Sequence, residues 1–354
     1  MLARDELRQT IGRPPFSTRN PLRSLIEQLT AQEYPTADHT GKTVIVTGGS
    51  SGLGLEAARH FVRLNAKTVI LGCRDVAKGA AAKQDIEASA GREGVVQVWE
   101  VDLCSFDSVR SFCQRAAGQL ENLDVVVENA GVYDKEYHVA EGYERQITVN
   151  VLSTFLMAVM LLPLLKRSAT TTTTTEAASA AAAAAPSHSH LVIVASNAHL
   201  YPSFPERHAD SVFEALRGSE NMGLRYATSK LLVVLAAREL SRQVESGDGG
   251  QVVVNFLDTG LCRTDLFRGE TFPMSWILGS VMWLIGRTSE MGSRVLLWAA
   301  SAGPDTHGRY VEDCRVGFES AFVRSEEGRL AQEKVWRELV EILEGIEPGV
   351  TKQL

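Results

Sequence analysis

The stretch "TVIVTGGSSGLGLEAARHFV", residues 43–62, decides the fold. It begins as a β-branched apolar run and ends with helical period, so a strand passes through a glycine-rich turn straight into a helix. Gly48 permits the tight turn, Gly52 lets backbone N–H groups approach a pyrophosphate, and Gly54 allows the helix to pack closely on the strand. The helix N-terminus favours anionic phosphates, with Ser50, Ser51 and Leu53 completing the loop. A glycine turn with no ligand is the plain alternative. The strand before, the helix after and a βαβ continuation favour dinucleotide binding.

Outward from this unit the same alternation repeats. Short apolar runs follow at KTVILG (67–72), VVQVWEV (95–101), LDVVVE (123–128), HLVIVA (190–195) and QVVVNFL (251–257), separated by stretches of helical period. Near-continuous apolar strands between helices are what a parallel sheet covered on both faces requires, so the expected architecture is a doubly wound α/β Rossmann fold. Residues 1–40, with Pro14, Pro15, Pro21, Pro35 and one amphipathic piece, LRSLIEQL, read as an N-terminal extension to a single domain over 41–354. Residues 169–189 lie in a Thr/Ala tract without a periodic apolar face and read as a low-complexity surface insertion. His188 and His190 lack further ligands at suitable spacing, so no metal site is expected.

Composition narrows the function. The 354 residues carry 36 Lys and Arg against 43 Asp and Glu, and a net charge of -7 argues against a nucleic-acid partner. Five scattered cysteines without CxxC spacing suggest neither a disulfide framework nor a zinc site, and a reducing, cytoplasmic setting fits. The first residues have no apolar signal region. Two apolar stretches, Val151 to Leu165 and Trp276 to Ile285, both fall short of the ~20 residues of a membrane span, so no transmembrane segment is expected. The first reads as a buried or dimer-facing helix and the second as a helix over a pocket.

The second strand ends in "LGCRD", about twenty residues after the last glycine, where a ribose-reading residue belongs. An acidic residue there would bind the 2′-hydroxyl of NAD. This chain has Cys73 and Arg74, and a guanidinium suits a 2′-phosphate, so NADP(H) is favoured over NAD. The plain alternative is a surface charge paired with Asp75.

The spacing TGxxxGxG together with "YATSK" (226–230) resembles the short-chain dehydrogenase/reductase family, over about residues 41 to 315. The resemblance implies that Asp102 in "VDL" contacts the adenine end of the cofactor and that Asn129 in "ENAG" lies beside it. It implies catalytic roles for Asn150 in "TVNVLSTF", Ser196 in "IVASNAH", Tyr226 and Lys230, and it places Thr264 of "TGLCRT" at the nicotinamide end. Lys230 would also bind the ribose hydroxyls, and Asn150 would order a water. Three positions depart from the pattern: Glu128 stands for the first Asn of NNAG, Ala195 for a Ser, and Thr259 for a Pro. The roughly thirty residues between Ser196 and Tyr226 are similar to the retinol-dehydrogenase-like branch. "AEGYERQITVNVLSTFLM" and "FVRSEEGRLAQEKVWRELVEILE" look like reductases of fungal secondary-metabolite pathways. The family suggests a homodimer through helices beginning near Gly142 and Tyr226.

Residues four apart share a helix face, so Tyr226 and Lys230 can address one site. A tyrosine with pKa near 10 is a poor acid or base at neutral pH, and a neighbouring ammonium stabilises its phenolate. The expected activity is hydride transfer between NADP(H) and a ketone or secondary alcohol, with Tyr226 passing the proton and Ser196 holding the oxygen. The segment 263–287, with Trp276, Ile277, Leu278, Met282, Trp283 and Leu284, reads either as an apolar lid, implying a hydrophobic substrate such as a polyketide or terpenoid intermediate, or as a helix packed on the core or on a second subunit. Three alternatives stand beside this: a non-catalytic NADP-binding sensor or scaffold, a dehydratase or epimerase on the same scaffold, and attachment to a membrane surface through residues 1–40 or 274–285.

Overall fold

The computed structural model describes residues 21–176, 188–245, 252–264, 266 and 274–354. Helix α1 (Pro21–Leu29) precedes β1 (Thr43–Thr47), α2 (Gly52–Arg63), β2 (Thr68–Cys73), α3 (Val76–Ala90), β3 (Val96–Glu100), α4 (Phe106–Gln119) and β4 (Val125–Glu128). A hairpin of β5 (Val139–Ala140) and β6 (Tyr143–Glu144) leads into α5 (Arg145–Ile147), a π-helical segment Thr148–Ser153 and α6 (Thr154–Glu176). Then come β7 (Ser189–Val194), α7 (Val212–Ala215), α8 (Met222–Glu245), β8 (Val252–Asp258), α9 (Met274–Ile285), α10 (Ser289–Ala299), β9 (Arg309–Glu312), β10 (Arg315–Val316) and α11 (Glu326–Ile346).

The main sheet runs β10-β9-β8-β7-β4-β1-β2-β3, parallel throughout except for the antiparallel edge strand β10. Strand order reverses between β1 and β4, and a crevice at the carboxyl ends of the strands follows from that reversal. The sheet alternates its side chains between two apolar layers. Val44, Val46, Leu71 and Val127 pack with Phe61 of α2 and Leu296 of α10, whereas Ile45, Ile70, Val126 and Phe256 face Phe112 of α4, Phe155 of α6 and Leu235 of α8. Burial on both faces explains the apolar runs at the centres of β1, β2, β4, β7 and β8, whereas the edge strand β3 exposes Gln97 and Glu100.

The six expected strands are present, and the doubly wound parallel architecture with them. The structure adds β9 and β10, whose four and two residues give too short a pattern to read from sequence. Helix α6 continues to Glu176, into the Thr tract read as a low-complexity insertion, and passes through Pro163 without ending. The Ala portion, 177–187, lies outside the described residues, as do residues 1–20. The apolar stretch 145–169 is a continuous 25-residue helix, long enough by length and composition to cross a membrane, contrary to the shorter span read from sequence. Its 18-residue apolar window is 89% buried inside the fold, as a core helix is.

Candidate active site

The glycine loop closes as its sequence requires. Gly48 adopts φ +66 and donates its N–H to the Gly72 carbonyl at 2.8 Å. A Cβ on Gly54 would lie 2.5 Å from the Gly48 carbonyl oxygen, so no side chain fits where α2 meets β1. Gly52 has φ +56, and the Thr264 methyl lies 3.6 Å from where its Cβ would be, which brings the loop after β8 against the start of α2. Ser51 is the N-cap of α2 but makes no side-chain cap bond, which leaves first-turn N–H groups free to meet an anion. Thr47 Oγ1 accepts from the N–H groups of Asn129 (2.9 Å) and Ala130 (3.0 Å), while Asn129 Nδ2 donates to the Thr47 carbonyl at 2.9 Å. Asn129 thus clamps two loops together through its backbone N–H and one Nδ2 hydrogen.

At the other end of this cradle, Asp102 accepts from the Cys104 N–H at 2.9 Å. Arg74 is exposed at the end of β2 and forms no ion pair among the described residues. Asp75, its suspected partner, caps α3 by accepting from Lys78 N–H at 3.0 Å and faces Lys78 Nζ. The open N-terminus of α2, the glycine cradle and the free guanidinium fit a dinucleotide carrying an extra phosphate.

The four residues expected to be catalytic converge on one place. Asn150 sits in the π-helical turn, where the widened ladder aims its side chain: Oδ1 accepts from Val132 N–H at 2.9 Å, and Nδ2 donates to Val132 O and to Ser229 Oγ, both at 3.0 Å. Lys230 Nζ donates to the Val194 carbonyl at 2.7 Å and stands 5.9 Å from the Tyr226 ring centre. A Cβ on Gly131 would come within 3.7 Å of that ammonium. Burial drives Lys230 down to about 8, partly offset by Asp258. Burial raises Tyr226 well above its usual value, and a hydrogen bond with Ser196 works against it. Ser196 also accepts from Ala198 N–H at 3.1 Å, so its hydroxyl is aimed by the 3-10 turn that follows.

Several participants were not legible. Tyr133 packs edge-on against Tyr226 with ring centres 5.7 Å apart. Asn197 and Asp258 join the loops that carry Ser196 and Thr264. Gln28 of α1 bonds Leu261, and Arg287 bonds the Thr259 carbonyl at 3.3 Å. Glu128 is fully enclosed, with neither carboxyl oxygen in a hydrogen bond of ordinary geometry, and burial pushes it up to about 8. It is therefore a neutral acid at neutral pH, a closer substitute for asparagine than its formal charge suggests. In the lid, Trp276, Trp283 and Leu284 are more than two-thirds exposed and Met282 is buried. Asp265 and residues 267–273 lie outside the described residues, and so do the side chains of Ile277 and Leu278.

A dinucleotide cradle facing a Ser, Tyr and Lys cluster defines a nicotinamide-dependent oxidoreductase, and comparison with known proteins gives the family. Residues 42–196 match the family described as short chain dehydrogenase. The short chain dehydrogenase/reductase dmxR8 of a Cryptosporiopsis species is 38% identical over 90% of this chain and 95% of its own. The short chain dehydrogenase atnD of Emericella nidulans is 40% identical over 83% and 92%. The chain belongs to the short-chain dehydrogenase/reductase family and is an oxidoreductase. Among solved structures, an NADPH-bound carbonyl reductase from chicken fatty liver superposes with a TM-score of 0.57 at 18% identity, covering 79% of this chain and all of that one. The Pseudomonas aeruginosa RhlG/NADP complex gives 0.57 at 23% identity, covering 79% and 97%. Both share the fold.

Proposed function

We propose that this enzyme interconverts a hydrophobic ketone and its secondary alcohol with NADP(H), within one domain over 41–354 carrying an extension at 1–40 and a lid at 263–287. The observation that carries the reading is the Ser196–Tyr226–Lys230 cluster set beside the Gly52–Thr264 contact. When bound, the nicotinamide supplies or takes the hydride. Gly48, Ser50, Ser51, Gly52, Leu53 and Gly54 hold the pyrophosphate, Asp102 and Asn129 the adenosine side, and Thr264 the nicotinamide side. Arg74 takes the 2′-phosphate; the absence of an ion pair for it among the described residues supports NADP(H) over NAD.

Ser196 hydrogen-bonds the substrate oxygen and Tyr226 donates the proton to it in reduction or removes it in oxidation. Lys230 stabilises the phenolate that results. Asn150 fixes the turn after β4 against α8 through Val132 and Ser229. The apolar lid helix α9 favours a hydrophobic ligand, in keeping with a polyketide or terpenoid intermediate of secondary metabolism.

The test is loss of reduced-cofactor absorbance with NADPH, and separately NADH, against a panel of aryl and long-chain ketones. Turnover preferring NADPH, lowered about 10²–10⁴-fold in Tyr226→Phe, is the expected result. NADPH binding without turnover of any carbonyl compound would return the reading to a sensor or scaffold. A change in substrate with no net cofactor consumption would favour a dehydratase or epimerase.

A further inference from the structure

Strand β8 ends at Asp258, immediately before the Thr259–Thr264 loop. The residue is 6% exposed, and three N–H groups address its carboxylate. Asn197 N–H donates to Oδ1 at 2.8 Å, Asn197 Nδ2 to Oδ2 at 2.7 Å, and Gly260 N–H to Oδ2 at 2.9 Å. Charge-assisted bonds of this kind are about twice as strong as neutral ones and fix geometry tightly. One side chain therefore ties the residue after Ser196 to the turn that leads to Thr264. The tie is braced from behind, since Tyr310 Oη donates to Asn197 Oδ1 at 3.0 Å.

The same carboxylate acts electrostatically on the proton-transfer pair. It raises the proton affinity of Lys230 against the pull of burial, and that of Tyr226 as well. No other charge acts appreciably on Lys230 among the described residues. A buried lysine without a countercharge gives up its proton. An uncharged Lys230 could not stabilise a Tyr226 phenolate.

We propose that Asp258 is a positioning residue for the reaction, setting Ser196 and the nicotinamide-side loop in register and supplying the fixed negative charge that acts on Lys230. This rests on the ketone-reductase reading of the same site. Other groups lie around Asp258: Tyr226 and Lys230 of α8 and Cys262 of the loop feel its charge, Glu312 of β9 is its register partner, Arg287 bonds the Thr259 carbonyl next to it, and His199 and Tyr310 bond Ser196 and Asn197 beside it. Burial holds the Cys262 thiol up at about 12. His199 accepts from Ser320 N–H at Nε2 and so bonds the Ser196 carbonyl as a neutral Nδ1–H donor.

The experiment compares wild type, Asp258→Asn and Asn197→Ala, the last losing the Nδ2 bond to Asp258 and the Tyr310 brace while keeping the backbone N–H bond and the charge. In NADPH-dependent reduction of a ketone turned over by wild type, both variants lower kcat about tenfold or more. Only Asp258→Asn also moves the alkaline limb of the kcat profile to lower pH, by on the order of one unit, because loss of the anion lowers the proton affinity of both Lys230 and Tyr226. An alkaline limb that stays in place in Asp258→Asn overturns the proposal.

A second readout needs no substrate. The melting temperature of Asp258→Asn falls furthest below wild type near pH 6, where Lys230 is charged in both proteins, and the gap narrows as pH passes about 8. A gap of the same size at both ends defeats the charge role. Failure of wild type to turn over any ketone would count against the reductase reading, while the melting data would still decide the Asp258–Lys230 link.

Discussion

Gln28 grips Leu261 from both sides: its Oε1 accepts from the Leu261 N–H at 3.0 Å and its Nε2 donates to the Leu261 carbonyl at 2.8 Å. The same amide donates to the Ile285 carbonyl at 2.9 Å, where the lid helix ends, and Arg287 returns a bond from its Nε to the Gln28 carbonyl at 3.2 Å. Helix α1, whose purpose the sequence does not disclose, thus pins both ends of the segment from Leu261 to Ile285. Gln28→Ala removes three hydrogen bonds in a partly buried setting. It should cost about 1–3 kcal/mol of stability and weaken NADPH binding several-fold through the loosened Thr264 loop. Urea unfolding and a fluorescence titration with NADPH check the two effects separately.

Arg74 stands free for a phosphate because Asp75 is engaged in capping α3. Arg74→Ala should raise KM for NADPH about 10- to 100-fold, the worth of a charged hydrogen bond, and leave KM for NADH nearly unchanged. Equal effects on the two cofactors would reassign the guanidinium to the surface.

Glu128 gives a signature in stability against pH. Its folded-state pKa is raised to about 8 from an ordinary 4.5, so the folded protein holds this proton more tightly than the unfolded chain does. Stability from this group is complete below about 4.5 and is lost as pH rises toward 8, by a few kcal/mol at most. Glu128→Gln removes that slope. Its melting temperature should gain on wild type steadily between about pH 5 and 8, and parallel curves would show that the carboxyl has found a partner.

The fold was legible because its signals are local. A strand, a glycine turn with defined φ requirements and a helix follow one another within residues 43–62, and the main strands carry long apolar runs except the edge strand β3, which alternates. The candidate catalytic residues were legible through spacing on a single helix and through motif order. What escaped shares a different character. Asp258 with Asn197, and Gln28 with Leu261, are contacts between residues 61 and 233 positions apart, made by polar side chains in otherwise ordinary segments. Sequence periodicity reports the face a residue occupies, and carries nothing about which distant backbone group waits there. The π-turn around Asn150 is likewise invisible, since its residues have good helical pattern and the extra residue per turn is a tertiary choice.

The helices expected to form a family-type dimer, α6 and α8, meet the chain's own carboxyl-terminal segment instead. In α8, Leu231 to Ala237 and Leu240 are essentially without solvent exposure in the isolated chain. Helix α11 lays Val335, Leu339 and Leu343 into the same apolar layer, and Gln332 Nε2 donates to Glu239 Oε2 of α8 at 2.7 Å. Val350 and Leu354 extend the cover. A dimer through α8 would have to displace all of this and leave Val335, Leu339 and Leu343 of α11 without their cover. The protein should therefore sediment as a monomer of 38.6 kDa. A chain ending before Glu326 should lose that behaviour, associating or aggregating through the bared α8 face. A wild-type dimer in sedimentation equilibrium would mean that a different surface, such as the exposed Trp276 and Trp283 of α9, makes the contact. Trp283→Ser would then restore the monomer while leaving α8 and α11 untouched.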